Sequence, residues 1–437
     1  MITKMLDIRF IRDNKDLIKE AAKKKRVDFD IDELLSLDEK RRMLLQSVEE
    51  KRAEQNRTSN SIMRFHDEVK RQEFVQEMRA LKAGMQEDEE KLREVMKKWQ
   101  ELMLLVPNIP DISVPDGESE ADNVTLKEWG NKPEFPFNPK NHIELMEKHN
   151  MVDFERGSKV HGFRGYFLKN DGALLSWAIW NYANKFFLDK GFNPFIAPTI
   201  VKKEFFYGTG HLPGDGNDLY RTQDDDYLSG TAEVPMMAYH SEEILKKEDL
   251  PIKYLAFSLC FRREAGSHGK DTKGLMRVHE FYKLEQLILC EASHAESEKL
   301  HEEINRNTEE FIESLEIPYR QLAISTGDLK AAHVKSYDTE LWIPSENAYR
   351  EIASASYYHD FQARRFNIRY DNSGVKTYVH SLNGTAIPTP RVLIALVENY
   401  QNPDGTIRVP EKLVPYLGKT VIGSPEEQNI PEKDEVI

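Results

Sequence analysis

The sequence predicts an α+β protein in which a long α-helical hairpin precedes a larger domain of mixed strands and helices. Three observations predict this. Between Phe74 and Leu102 apolar residues recur at alternating spacings of four and three, the mark of a coiled-coil seam. A segment carrying Pro107, Pro110 and Pro115 then ends the helical pattern. Beyond it aromatic residues, glycine and β-branched runs rise together. A chain of 437 residues also exceeds one ordinary core, so two domains are expected. Charged residues make up 31% and hydrophobic residues 39%, which fits a globular protein. No apolar run approaches the roughly 18 residues that span a bilayer. The start, MITKMLDIRFIRDNKD, has no signal-peptide core. No membrane partner and a cytoplasmic location are therefore expected. The two cysteines, Cys260 and Cys290, lack metal-ligand spacing and are expected as buried thiols. A net charge of −14 argues against bulk nucleic-acid affinity without excluding a local basic surface.

The elements follow in order. Asn14 is placed to cap a helix, NKDLIKEAAKKK, within a small helical cap. Leu34, Leu37, Leu44, Leu45 and Val48 form the stripe of a first long helix, which fades after Ala53 and breaks near Phe65–Asp67. Phe74, Met78, Leu81, Met85, Leu92, Val95, Trp99 and Leu102 form the second, with Asp88 the one break. Joined near residue 66, each helix has about 35 residues and is about 50 Å long. Between Lys51 and Lys82 eight basic residues (Lys51, Arg52, Arg57, Arg64, Lys70, Arg71, Arg79, Lys82) face five acidic ones. That excess suits either a solvated coiled-coil face or contact with an RNA backbone. The expected domains are an arm over 1–105, a linker over 106–123, a larger domain of strands and helices over 124–423 and an acidic, disordered tail over 424–437. In the third of these, residues 192–201, 253–262, 278–290, 319–326 and 375–384 read as strands. Residues 176–191, 291–315 and 390–401 read as helices.

The most informative stretch is FRREAGSHGKDTKGLMRVHEFYKLEQ, residues 261–286. Strand-like ends flank a loop rich in Gly, Lys and Asp. Arg262 and Glu264 follow the first strand, and Phe281 and Glu285 lie on the second. A guanidinium grips phosphate oxygens in a fixed fork, an aromatic face stacks on a base, and a carboxylate accepts from an exocyclic amine. Read alone, the stretch is more readily a hairpin with a solvated, charged loop, and the rest of the chain tips the balance. Three further segments accompany it: GTAEVP with Thr231 and Glu233, YREIASAS with Glu351 and Ser354, and LNGTAIPTPRV with Asn383, Thr385 and Arg391. In the last, a strand ends at Asn383 and a helix begins near Pro390, with Arg391 at its anion-favouring N-terminus. Individually, Thr231 and Glu233 also read as a helix cap, Phe281 as core and Glu351 as a structural ion pair. There is no G-x-x-x-x-G-K-[ST] loop and no H-E-x-x-H, so neither a P-loop nor a metalloprotease is supported. His268 and His279 receive no role.

In this order the segments resemble the seryl-tRNA synthetases, a family of class II aminoacyl-tRNA synthetases, over about residues 5–420. GFNPFIAP resembles motif 1, FRREAG…FYKLEQ motif 2 and the Arg391 segment motif 3. The TAE triplet, REI-x-S, DFQARR and the helical hairpin ending in PNIP are similar to the seryl enzymes in particular. The resemblance implies a class II antiparallel β-sheet catalytic domain flanked by helices and preceded by a coiled-coil hairpin. It implies ATP-dependent activation of L-serine and transfer to the 3′ end of tRNA(Ser), with tRNA(Sec) as a possible second acceptor. Arg262 is implied to bind the α-phosphate and the serine carboxylate, Glu264 the adenine edge, Phe281 its face and Arg391 the γ-phosphate. Arg263, Ile352 and Ala353 complete the implied ATP contacts. Glu351 and Ser354 are implied to ligate Mg2+. Thr231, Glu233, Glu285, Asn383 and Thr385 are implied to line the serine pocket, motif 1 to build a homodimer, the arm to grip the tRNA, and the loop Ser267–Gly274 to meet its acceptor end.

The chemistry agrees with these roles. A carboxylate attacking phosphorus brings two anions together, so the site supplies positive charge through Arg262, Arg391 and magnesium. A polar pocket rejects alanine because its buried groups would lose their partners. The chain departs from the family at Ala353, where a serine is usual, and at Pro388 and Pro390, where a glycine-containing helix start is usual. Thr385 replaces a frequent serine and keeps the hydroxyl. Two other classes compete: a ligase that loads a carrier protein, disfavoured by the long arm, and a non-catalytic RNA-binding paralogue, disfavoured by Arg262, Glu264, Glu351 and Arg391. A coiled-coil scaffold is disfavoured by the whole constellation.

Overall fold

A computed structural model of the chain describes residues 6–59, 68–266, 269 and 271–423. They form two compact units, one within Met5–Pro107 and one within Asn108–Ile437. The expected join of the hairpin near residue 66 and the expected tail over 424–437 lie outside the described residues.

In the first unit α1 (Ile8–Asp13) starts where the Asp7 carboxylate accepts from Arg9 N at 2.8 Å. Asn14 stands before α2 (Lys15–Lys24) but does not cap it with its side chain. Its amide instead donates to Phe10 O at 2.9 Å and closes α1. One residue serves two helix ends here, and an amide N–H suits the orphan carbonyls of the first. The long helices are α3 (Ile31–Ser59) and α4 (Glu68–Leu105), with 29 and 38 residues and hence lengths of about 44 and 57 Å. Every stripe position of α4 from Phe74 to Leu102 is half-buried and none fully buried. On α3, Leu34, Leu37 and Val48 are buried, while Leu45 is exposed. The seam position between Leu37 and Leu44 is Arg41. Its guanidinium lies 4.8 Å over the Trp99 ring and pairs at 2.7 Å with the buried Asp38. Asp88, the break in the apolar series, accepts from Ser47 Oγ and Lys51 Nζ at 2.6 Å each, while Lys51 also donates to Gly84 O at 3.2 Å. The break is therefore a polar cross-tie between the helices.

In the second unit eight strands form the central sheet: β1 (Val124–Trp129), β2 (Asn193–Ile196), β3 (Ile252–Phe261), β4 (Glu280–Cys290), β5 (Tyr319–Ala323), β6 (Lys335–Ile343), β7 (Ala348–Tyr357) and β8 (His380–Thr389). Their order is β1-β5-β6-β7-β8-β4-β3-β2, antiparallel throughout except that β2 runs parallel to β3. The segment expected as one strand over 375–384 divides, since Val375–Tyr378 belongs to a small separate sheet. β8 also runs past Asn383, where a strand end was expected, to Thr389. Pro388 is tolerated because β7 pairs β8 only over Leu382–Gly384, leaving a neighbour on one side at Pro388.

Helix α5 (Asp171–Asp189) and helix α6 (Glu233–Tyr239) precede the central hairpin β3–β4. Helix α7 (His294–Ser314) covers one face of β4, β7 and β8. Gln286 Nε2 donates to Ile304 O at 3.0 Å, and the His301 ring meets Ala355 O at 2.9 Å. Gly384 is required there, because a Cβ would stand 2.8 Å from the Ala355 Cβ and 3.3 Å from Ile304. Helix α8 (Arg391–Asn399) is apolar nearly all round, and every residue after Arg391 is buried. Leu255, Leu284, Ile288, Phe311, Leu341, Leu382 and Leu393 belong to the common core. Both cysteines are free and buried. Because side chains alternate along a strand, Glu285, Ser354, Ser356, Asn383 and Thr385 point away from α7 into a cavity on the other face. Among the described residues no helix is long and apolar enough to cross a membrane.

Candidate active site

The cavity measures about 480 Å³ and is lined by β4, β6, β7, β8, the start of α8 and the segments before α6 and after β3. Register sets its floor. Glu285 pairs directly with Thr385 across β4–β8, and the pairing slips between Leu284 and Glu285. Such a bulge re-aims a side chain beside a site. Phe281, Lys283 and Glu285 share one face of β4 at period two, and all three line the cavity.

At its inner end the polar groups are buried and several are hydrogen-bonded to one another. Thr231 Oγ1 donates to Glu285 Oε2 at 3.1 Å and accepts from Lys283 Nζ at 3.0 Å and Glu233 N at 3.2 Å. One hydroxyl thus uses its single donor and both lone pairs. Ala232, not Thr231, is the N-cap of α6, and the bond to Glu233 N serves the first backbone N–H of that helix. Lys283 and Glu285 form an ion pair with both side chains below a tenth exposed. Glu233 Oε1 accepts from Gln362 Nε2 at 2.6 Å, and Gln362 Oε1 accepts in turn from Ser381 Oγ at 2.8 Å. Burial, then the nearby charge of Glu285, pushes the Glu233 carboxyl up to about 7, against the bond from Gln362 and the charge of Lys283. Tyr358 Oη donates to Asn383 Oδ1 at 2.7 Å and fixes that amide. The result is a buried polar pocket with two carboxylates, an ammonium and hydroxyls facing one space.

The wider end carries guanidinium groups. Arg262 lies 5.3 Å over the Phe281 ring and donates to Gly230 O at 3.3 Å. Arg391 donates from Nε to Met276 O at 3.1 Å and from Nη1 to Glu351 O at 2.9 Å, with Glu351 Oε2 at 3.6 Å. Glu264 accepts from Arg277 Nη1 at 3.2 Å, and Arg277 also holds Asp271 at 2.9 Å. Asp271 is gripped again by Arg350 at 2.7 Å, so two arginines pin the loop between β3 and β4. His211 is pushed down to about 3 by burial and then Lys330, which leaves it neutral beside the Thr209 hydroxyl at 2.8 Å.

The residues expected to hold magnesium fit a hard cation. Glu351 and Ser354 share the cavity with Asp338, which pairs directly with Ser354 across β6–β7. Burial and then Glu351 raise the Asp338 carboxyl well above its ordinary range. Burial also pushes Glu351 up, but Arg391, Arg262 and Arg277 outweigh it and hold that carboxyl below its ordinary range. A crowded pair of carboxylates with a hydroxyl is an all-oxygen donor set that a divalent cation would relieve.

The structure therefore brings Thr231, Glu233, Arg262, Glu264, Phe281, Glu285, Glu351, Ile352, Ser354, Asn383, Thr385 and Arg391 to one cavity. Two expected residues stand apart. Arg263 is exposed and lies 5.9 Å over the Tyr220 ring, and Ala353 is in the main core. The missing hydroxyl at position 353 thus removes nothing from the cavity wall. Ser267, His268 and Lys270 of the loop expected to meet the acceptor end lie outside the described residues. Sequence reasoning missed Lys283, Asp338, Arg277, Tyr358 and Gln362. Lys283 had a signal: it sits midway between Phe281 and Glu285, on the same face of the strand.

Comparison with known proteins adds an independent line. The tRNA synthetase class II core domain (G, H, P, S and T) matches residues 219–400, and the seryl-tRNA synthetase N-terminal domain matches residues 5–110. A serine–tRNA ligase of Deinococcus radiodurans is 43% identical over 424 residues, covering 96% of this chain and all of that protein. One of Thermodesulfovibrio yellowstonii is 43% identical over 428 residues, with 96% of this chain and 100% of that protein covered. The crystal structure of seryl-tRNA synthetase from Pyrococcus horikoshii complexed with ATP superposes with a TM-score of 0.85 at 37% identity, covering 96% of this chain and 99% of that one. With this coverage at both ends, the chain belongs to the seryl-tRNA synthetase family of class II aminoacyl-tRNA ligases.

Proposed function

We propose that the buried polar pocket around Thr231, Lys283 and Glu285 receives serine and that the arginine-lined end receives ATP. The chain, a serine–tRNA ligase, joins them in two steps. A serine carboxylate oxygen attacks the α-phosphorus, the bond to the β-phosphate breaks, and pyrophosphate leaves. The terminal ribose hydroxyl of tRNA(Ser) then attacks the seryl carbonyl carbon, loses its proton, and AMP leaves. The observation that carries the reading is the buried, hydrogen-bonded polar pocket opening onto two arginines. Glu233 and Glu285 match the serine ammonium and hydroxyl, with Thr231, Thr385 and Asn383 beside them. Arg262 holds the serine carboxylate and the α-phosphate. Phe281 stacks on adenine, Glu264 accepts from it, and Arg391 meets the γ-phosphate. Glu351 and Ser354, with Asp338 behind them, would hold Mg2+, which supplies charge neutralisation of the phosphates when bound. Nothing here needs a nucleophilic side chain; positioning and positive charge carry the rate.

The remaining parts of the proposal follow the same division of the chain. Residues 1–105 are the tRNA-gripping arm, 106–123 the linker and 124–423 the catalytic domain, in a cytoplasmic homodimer. Exposed apolar residues around the motif 1 segment support the dimer, with Trp177 63% and Ile196 87% exposed beside Leu174 and Ile200. Exposed Arg79 and Lys82 support tRNA contact by the arm. Lys51 and Arg52 are instead drawn to Asp88 and Glu89 at 2.6 and 2.8 Å, and Arg64 with the side chains of Lys70 and Arg71 lie outside the described residues. The test is serine-dependent exchange of labelled pyrophosphate into ATP without tRNA, with threonine, alanine and glycine as controls. Exchange with serine alone supports the pocket assignment. A preference for another amino acid overturns it, and no exchange from folded protein overturns adenylation itself.

A further inference from the structure

We propose that Asp111, His294 and Glu298 form a structural site for a zinc-class transition-metal ion, apart from the catalytic cavity. Their candidate ligand atoms all lie within 4.8 Å of one another. His294 opens α7 and Glu298 follows one turn later, so the two share a helix face. Asp111 comes from the segment that follows the arm. His294 Nε2 stands 3.5 Å from Asp111 Oδ2 and 3.5 Å from Glu298 Oε2. These separations are too long for good hydrogen bonds. They match the edges of a tetrahedron: with metal–N and metal–O bonds of about 2.1 Å, ligand atoms stand about 3.4 Å apart.

The groups behind these ligands are held as metal ligands require. Asp111 is only 6% exposed at its side chain. Its Oδ1 accepts from Ser113 N and Oγ at 2.8 and 2.6 Å, and its Oδ2 accepts from Tyr357 Oη at 3.1 Å. The segment is fixed through Asp111 N, which donates to Val334 O at 2.9 Å. On the other side His294 Nδ1 and His359 Nε2 are 3.2 Å apart. When Nδ1 carries the hydrogen and donates it to His359, Nε2 turns a lone pair toward two carboxylates. That arrangement calls for a cation between the three. His359 is held at φ +49, in the left-handed region, and its ring packs 4.8 Å from that of His380. His380 is tied at 2.8 Å to Ser297 Oγ, also on α7.

The donor set selects the ion. One imidazole with two carboxylates suits Zn2+ and its neighbours, whereas Mg2+ prefers an all-oxygen octahedron. The outer side is open, with His294 52% and Glu298 42% exposed, so water can complete the coordination. None of Asp111, His294 and Glu298 lines the catalytic cavity. Tyr357 and Tyr358, consecutive at the end of β7, reach opposite ways, the first to Asp111 and the second to Asn383 in the cavity. A metal here would fasten the segment around Asp111 to the start of α7.

The test uses the full chain stripped with a chelator. Zn2+ is titrated in competition with a chromophoric chelator, and Co2+ reports coordination through its visible absorption. The expected result is one saturable site whose affinity falls at least tenfold in each of His294→Gln and Glu298→Gln, both checked for fold by circular dichroism. Glu351→Gln, in the proposed magnesium site, leaves that affinity unchanged. One equivalent of Zn2+ raises Tm in the parent and not in the two variants. Absence of saturable binding overturns the proposal, as does binding that survives both substitutions. So does a His294 ring that stays protonated above pH 7 and ignores Zn2+, because a proton would then be the cation between the carboxylates.

Discussion

Glu233 lines the proposed serine pocket, with its carboxyl pushed up to about 7 by burial and by Glu285. An ammonium ligand requires it ionised. The ionised fraction is about one in eleven at pH 6, one half at pH 7 and ten in eleven at pH 8. Apparent affinity scales with the competent fraction. Serine is therefore expected to bind about fivefold tighter at pH 7 than at pH 6, and about twofold tighter again at pH 8. At pH 6.5 about three-quarters of the sites are protonated, so binding releases about three-quarters of a proton. Titration calorimetry in buffers of different ionisation enthalpy reads this directly. Stability moves the opposite way. The folded pKa lies above the unfolded value of 4.5, so the folded state holds an extra proton between pH 4.5 and 7. Without serine, stability then falls as pH rises through that window, by about 3 kcal/mol once above it. Glu233→Gln is expected to abolish both the affinity slope and the proton release, and to raise Tm at pH 8 without serine. An affinity that is flat from pH 6 to 8 in the parent, or a slope that survives in the variant, would refute the reasoning.

Four further outcomes are expected. Lys283→Met leaves the buried Glu285 without its ion-pair partner and lowers stability by about 3–5 kcal/mol in denaturant unfolding. Glu351→Gln raises the magnesium concentration needed for half-maximal pyrophosphate exchange at least severalfold, whereas Ala353→Ser, whose side chain faces the core, leaves that requirement unchanged. Gly384→Ala forces a methyl against Ala355 and α7 and costs about 1–3 kcal/mol, read as a lower Tm. Trp177→Glu on the exposed apolar surface is expected to shift the proposed dimer to monomer in light scattering, with little loss of helical signal.

The arm was legible because one period of alternating four and three runs from Phe74 to Leu102, and local periodicity survives any tertiary setting. That the candidate site residues gather in one cavity was legible because they lie in a few short segments whose order resembles one family. What stayed hidden depends on register between distant strands. Asp338 matters because β6 sets it opposite Ser354, and nothing near residue 338 announces that pairing. Gln362 matters through a hydrogen bond to a residue far away in the chain. The extent of β8 was misread at Asn383 because Pro388 resembles a breaker when the number of neighbouring strands is unknown. Arg41, which the sequence pattern did not single out, is a seam residue lying over Trp99.

The tie between Asp88, Ser47 and Lys51 gives the two long helices a shared zero mark. Length beyond that mark is adjustable in units. Adding seven residues to each helix on the far side would extend the rod by about 10 Å and leave every pairing on the near side in place. A single residue inserted into α4 between Asp88 and Trp99 would instead turn everything beyond it by about 100° against α3. The arm is thus a ruler with a fixed origin, tolerant of heptad-sized changes in reach and intolerant of small changes in phase.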